Sequence, residues 1–144
     1  MIKSTLDIEQ ELYRHLNRPS IRSIISGNIM NGDRPIYAPN ATKKEDIVIN
    51  TITLDNSMNQ MGAANINIWV PDIINPYGGT GKTPNKARLN IITKAILPLV
   101  DEYYPMSQEE TFHFWVEWTQ LFREESLDYS YMNIRLQYRN INYY

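Results

Sequence analysis

The chain has 144 residues, 42% of them hydrophobic and 21% charged, with a formal net charge of −2. That length supports one sizeable core, and the near balance of charge gives no global field toward nucleic acid or an anionic membrane. Without cysteine there are no disulfides or thiolate metal sites; no apolar run reaches the ~20 residues of a membrane-spanning helix, and the start MIKSTLDIEQEL lacks the apolar stretch of a signal peptide, so a single domain over 1–144 that folds in cytoplasm is expected.

Ser4 and Asp7 form a capping-box pattern, and Ile8, Leu12 and Leu16 follow at four-residue spacing. This predicts a helix over 5–17, ended by Arg18-Pro19 because a residue before proline avoids the helical region. Residues 26–46 are dense in turn formers, with short strands expected around Ile29 and Ile36-Tyr37 and a solvated loop at Lys43-Lys44-Glu45-Asp46. The β-branched run IVINTITL predicts a strand over 47–54. After a polar connection, 63–70 alternates: Ala64, Ile66, Ile68 and Val70 face one way, Asn65, Asn67 and Trp69 the other. A long loop is expected over 72–86. From Ala87 the period becomes helical, with Ile91, Ile92, Ala95, Ile96, Leu99, Val100 and Tyr103 in phase, and Pro98 predicts a kink or early end. Segments 111–122 and 129–141 read as two long strands of a hairpin. The fold class is therefore α+β: a mainly antiparallel sheet with an N-terminal helix and one long amphipathic helix packed on one face.

The segment PYGGTGKT invites a phosphate-loop reading, since Gly81-Lys82-Thr83 match the end of G-x-x-x-x-G-K-[ST]. The first glycine position holds Pro76, which has no N–H to offer a phosphate. The preceding strand alternates where such a fold needs a doubly buried one, and Pro84 sits where the helix should propagate. A flexible glycine-rich loop with Pro84 near the first helical position is the preferred reading. Lys82, Lys86 and Arg88 then lie as exposed positive charges against the helix dipole.

Little else suggests catalysis. His15 and His113 are the only histidines, and neither has a second ligand at metal spacing. His15 is placed on the polar side of the first helix, and His113 is read as a structural imidazole on a strand. The adjacent pairs Asp101-Glu102, Glu109-Glu110 and Glu124-Glu125 diverge on any regular element and read as solvated ends. No cofactor or metal and no enzymatic activity is expected.

The last third carries the distinctive pattern. In 111–122 one face holds Phe112, Phe114, Val116 and Trp118, and the other His113, Trp115, Glu117, Thr119 and Leu121. In 129–141 Met132, Ile134, Leu136 and Tyr138 form the core row, opposed by Tyr131, Asn133, Arg135, Gln137 and Arg139. Aromatic and arginine anchors among polar groups suit an interface, and two tyrosines at the chain end, in NINYY, serve a monomer only if docked.

The order ISGNIMNGDRPIYAPN, EDIVINTITLD, QMGAANINIWVPD, long loop, amphipathic helix and closing strand pair resembles the tail completion, or tail terminator, proteins of long-tailed bacteriophages and prophages. The resemblance runs through nearly the whole chain. It implies a non-enzymatic virion protein, assembled in the host cytoplasm, that forms a ring, commonly a hexamer. Such a ring caps the tail tube, stops its growth and meets the head connector. Its partners would be further copies of itself, the tail-tube protein and neck proteins; another neck role, head closure or adaptor, is a close alternative. A small anion- or nucleotide-binding module using the Gly78–Thr83 loop is a more distant one. Under this reading Asn65, Asn67, Trp69, Trp115, Arg135, Gln137 and Arg139 are the expected contact residues. The loop with Gly78, Gly79, Gly81 and Lys82 is a mobile segment that orders on assembly. A mildly acidic chain argues against tight nucleic-acid binding.

Overall fold

A computed structural model describes residues 2–38, 40–55, 58–104 and 112–141. Glu109-Glu110 and the terminal Tyr143 and Tyr144 lie outside the described residues.

Helix α1 spans Thr5–Leu16. The capping box forms: the Asp7 N–H donates to the Ser4 hydroxyl at 3.3 Å, and the Ser4 N–H donates to the Asp7 carboxylate at 2.8 Å. Ile8, Leu12 and Leu16 are buried, as their spacing requires. Pro19 does end α1, but it also opens a one-turn helix, α2 (Pro19–Arg22), which the sequence reading lacks; a proline at the first helical position loses no helix bond.

Strand β1 (Ile29–Asn31) pairs parallel with β2 (Asp46–Leu54). β2 pairs antiparallel with β3 (Asn59–Pro71), longer than expected at both ends. The Ile36-Tyr37 strand does not form: Pro35 interrupts any ladder, and the Tyr37 hydroxyl is drawn to Asp46 at 2.7 Å. The 72–86 stretch is not structureless. It contains a small hairpin, β4 (Ile73–Ile74) with β5 (Lys82–Thr83). Helix α3 runs Lys86–Val100, capped by Asn85, whose side chain accepts from the Arg88 N–H at 3.2 Å; Pro84 thus lies ahead of the cap rather than at the first helical position. Pro98 does not end α3. Ile96 and Val100 are fully buried on either side of it, and their packing holds the last turn despite the lost donor. Strand β6 (Phe112–Glu124) joins β7 (Tyr129–Ile141) through a 3-10 turn at Glu125–Leu127.

The five long-range strands make one sheet in the order β1-β2-β3-β7-β6, antiparallel except at β1. One row of each long strand joins the apolar stripes of α1 and α3 in a single core: Ile47 and Ile49, Ile66 and Ile68, Ile134 and Leu136, Phe112 and Phe114, with Ile8, Leu12, Ile92 and Ile96. The opposite rows lie outside that cluster.

The alternation fails in β6, and the β2–β3 register also shifts between Thr51 and Thr53. β6 carries a bulge between Val116 and Trp118, so Glu117 is the extra residue. Trp118 then pairs with Arg135, Thr119 with Ile134 and Leu121 with Met132. The expectation that Trp118 shares the core row of Phe112 and Phe114 is overturned, as is the outward placement of Thr119 and Leu121, because one inserted residue reverses every later side chain.

Two charged expectations also change. Asp46, read as part of a solvated loop, is fully buried at the start of β2. Arg88 is not a free positive charge: its Nε and Nη2 donate to the Glu45 carboxylate at 2.5 and 2.9 Å.

His15 is not on a polar face. It bonds the Leu99 carbonyl near the end of α3, packs at a tilt against the Tyr103 ring at 4.0 Å and accepts at Nδ1 from Arg18 at 3.2 Å. Burial, then the nearby Arg18, holds its pKa below 6.5, while the Leu99 bond pulls the other way. His113 is also lowered, by burial and by Arg139. Both folded values lie beneath the unfolded one, so the unfolded chain binds protons first. The stability carried by the neutral rings is complete above about pH 6.5 and declines as pH falls below it. The melting midpoint is therefore expected to drop from about pH 7 to about pH 5.5, with a shallower drop in His15→Gln. An unchanged slope in that variant would remove His15 from this account.

Candidate functional site

The sheet face turned away from the core is built from cross-strand rows whose register is fixed by β3 and β7. The first row is aromatic. Trp69 of β3 stacks on Tyr131 of β7 at 4.4 Å, and Tyr131 stacks on Phe122 of β6 at 5.2 Å. Burial, with Glu124 adding to it, raises the Tyr131 phenol, so it stays neutral. At the opposite end His113 lies between Tyr104 and Trp115, at 4.9 and 5.0 Å.

Between these corners lies an amide network. Asn65 donates to Asn50 at 3.0 Å; Asn133 donates to Asn65 at 3.0 Å and to Asn67 at 2.7 Å. The Trp118 indole N–H donates to Asn133 at 3.3 Å. Arg135 donates Nε to Asn65 at 2.8 Å, and its guanidinium lies 5.0 Å from the centre of the Trp118 ring. Arg135 is thus fixed in place, while among the described residues its two terminal nitrogens make no hydrogen bond. Gln137 donates to Glu117 at 2.5 Å and Arg139 to Asn59 at 2.7 Å.

The seven residues expected as contacts share this one face: Asn65, Asn67 and Trp69 from β3, Trp115 from β6, and Arg135, Gln137 and Arg139 from β7. Asn65, Asn67, Asn133 and Arg135 form one bonded group; Trp69 and Trp115 stand at opposite corners. Sequence reasoning missed Trp118 and Phe122, because the bulge that turns them outward carries no glycine or proline to mark it. It also missed Asn50, which sits in a strand with no clear alternation.

At the Trp69 corner a second cluster forms. The Arg34 guanidinium lies 4.0 Å from the Tyr129 ring centre and 4.9 Å from that of Trp69, and its Nε donates to Asp46 at 3.0 Å. Tyr37 donates to the same carboxylate; burial first and then this bond push its phenol up to about 12.

The 72–84 segment is a turn of its own. Gly78 and Gly79 have positive φ, 115° and 81°, which only glycine adopts readily. Gly81 accepts from the Asn75 N–H at 3.0 Å, and Lys82, on β5, places its ammonium 3.5 Å from Asp128. Among the described residues no three His, Asp or Glu side chains gather as a metal-ion group, and no helix is long and apolar enough to cross a membrane.

A scan against protein-family models finds no match for this chain, and a search of curated proteins finds none either.

Proposed function

We propose that the chain is a virion structural protein, a tail terminator or tail completion protein. Its copies dock into a ring, taken here as a hexamer, that caps the tail tube and joins it to the head connector. The observation that carries this reading is the outer sheet face. It holds three tryptophans, stacked aromatic rows and an arginine positioned with unspent donors, on the side of the sheet opposite the buried core. Both long helices are read as lying on the core side, which leaves that face for a neighbour. A head-to-tail contact of this kind closes into a ring when its rotation divides a full turn.

Head closure or adaptor function would use the same face, and its partner would then be a different neck protein. The nucleotide-binding reading gains no support from the 72–84 segment, where Lys82 is engaged by Asp128 and a hairpin stands in place of a loop feeding directly into a helix.

Mass by light scattering on the concentrated protein tests the proposal. Expected is a species several times the 16.9 kDa of one chain; a protein that stays at the monomer mass contradicts it.

A further inference from the structure

The β4–β5 hairpin presents apolar groups that its own molecule leaves bare. Tyr77 at its tip is 98% exposed and Ile74 is 69% exposed. The tip is ordered. Asn75 accepts at its side chain from the Tyr77 N–H at 2.9 Å and at its carbonyl from the Gly78 N–H at 3.2 Å. The base is anchored as well, by Lys82 to Asp128 and by the Arg123 guanidinium, which donates to the Lys82 carbonyl at 3.1 Å. A tyrosine held out by a fixed turn is pre-organised, so docking it costs little further ordering.

The same chain carries a cavity of about 500 Å³ between residues 34–38, Ala41 and Lys43 on one side and the start of β7 on the other. Ile36, Tyr37, Trp69, Leu127 and Tyr129 give it apolar walls, and Arg34 stands among them. Its size is that of a small-ligand pocket. Arg34 is countered by Asp46 at 3.0 Å, and Lys43 shares the Asp128 carboxylate with Lys82, each at 3.5 Å. A neutral, aromatic occupant suits the Arg34 end of the cavity, where the guanidinium is already paired with Asp46 and lies against the Tyr129 and Trp69 rings. Residues 75–81, NPYGGTG, carry no charge at all. Trp69 belongs both to this cavity and to the aromatic row of the outer face, so the cavity continues the proposed interface.

From this we infer that the hairpin of one copy inserts Tyr77 into the Arg34–Trp69–Tyr129 cavity of another copy. The ring would stack between Trp69 and Leu127, with its hydroxyl within reach of the Arg34 guanidinium, and Ile74 would cover the mouth beside Ile36. The inference rests on the reading that the protein self-assembles, and it names one contact by which it does so.

The cysteine-free sequence makes the test direct. Thr80→Cys, on the same hairpin with Tyr77 kept, and Ala41→Cys, the second at an exposed cavity-lining position, are prepared as two separate proteins, mixed and mildly oxidised. A disulfide joining the two variants is expected well in excess of either variant joined to itself, and in excess of Thr80→Cys joined to a Leu6→Cys control on α1. Tyr77→Ala should also weaken assembly by about tenfold or more while leaving the melt of the single chain unchanged. With both cysteines in one chain, a ladder beyond dimer supports the contact and the ring together. A product that stops at dimer supports the contact as a reciprocal exchange and contradicts the ring. An oligomeric protein that gives no excess mixed disulfide, or a link formed within one chain, overturns the inference and leaves the ring reading standing; in that case the cavity serves a small aromatic molecule or a different protein.

Discussion

Asp46→Ala is expected to cost about 3–5 kcal/mol of folding stability, a large share of the roughly 5–15 kcal/mol available to a domain of this size. The carboxylate is fully buried and accepts from three donors: the Asn28 N–H at 3.0 Å, Arg34 Nε at 3.0 Å and the Tyr37 hydroxyl at 2.7 Å. Arg34 itself is only 12% exposed, wedged against Tyr129 and Trp69. Alanine would strand a buried guanidinium, an amide and a phenol together, and the loss comes from those orphaned groups more than from the ion pair. The 34–38 segment would then detach from β2, and the cavity beside it would lose a wall. Gly27 reinforces the point: a methyl group there would sit 2.1 Å from Asp46 Oδ1, so the turn before β1 is shaped around this carboxylate. Urea denaturation at fixed protein concentration measures the loss. A change below about 1 kcal/mol, the scale of an exposed pair, would show that Asp46 is not the hub described.

Arg135→Glu is expected to abolish assembly while leaving the single chain folded. Arg135 is tethered by one bond to Asn65 and lies against the Trp118 ring on the face opposite the core, which leaves its terminal donors for the proposed neighbour. Reversal places a carboxylate on a face that already bears Glu117 and breaks whatever acceptor the neighbour offers. Central arginine and tryptophan contacts of this kind carry roughly 2 kcal/mol or more each, about thirtyfold in an association constant. Trp118→Ala should act in the same direction without a change of charge. Sedimentation across a concentration series, with the melting curve as control, reads both variants. An assembly constant unmoved by either substitution would show that the outer face is not the contact surface.

Much of the fold could be read from local pattern. The α1 boundaries follow from Ser4, Asp7 and Pro19, and the faces of β3 follow from its strict alternation, since burial on one side of a strand leaves a two-residue imprint. The features that escaped are those without a local imprint. The bulge at Glu117 is specified by how β6 and β7 pair across the hairpin, not by a breaker residue in the strand. The persistence of α3 through Pro98 depends on Val100 finding the core. Asp46 sits in a run of four charged residues, which reads as solvent-facing until Arg34 and Tyr37 arrive from elsewhere in the chain. The proposed contact residues could be grouped into rows because alternation sorts them, but their bonding to one another depends on which strands lie side by side, and that order is a property of the sheet.

Electron microscopy of the purified protein tests the central claim most directly. The account predicts rings of one uniform subunit number, with the outer sheet faces and the 72–84 hairpins meeting between adjacent copies. A field of separate single-chain particles at high concentration, or open filaments with no closed ring, would contradict it.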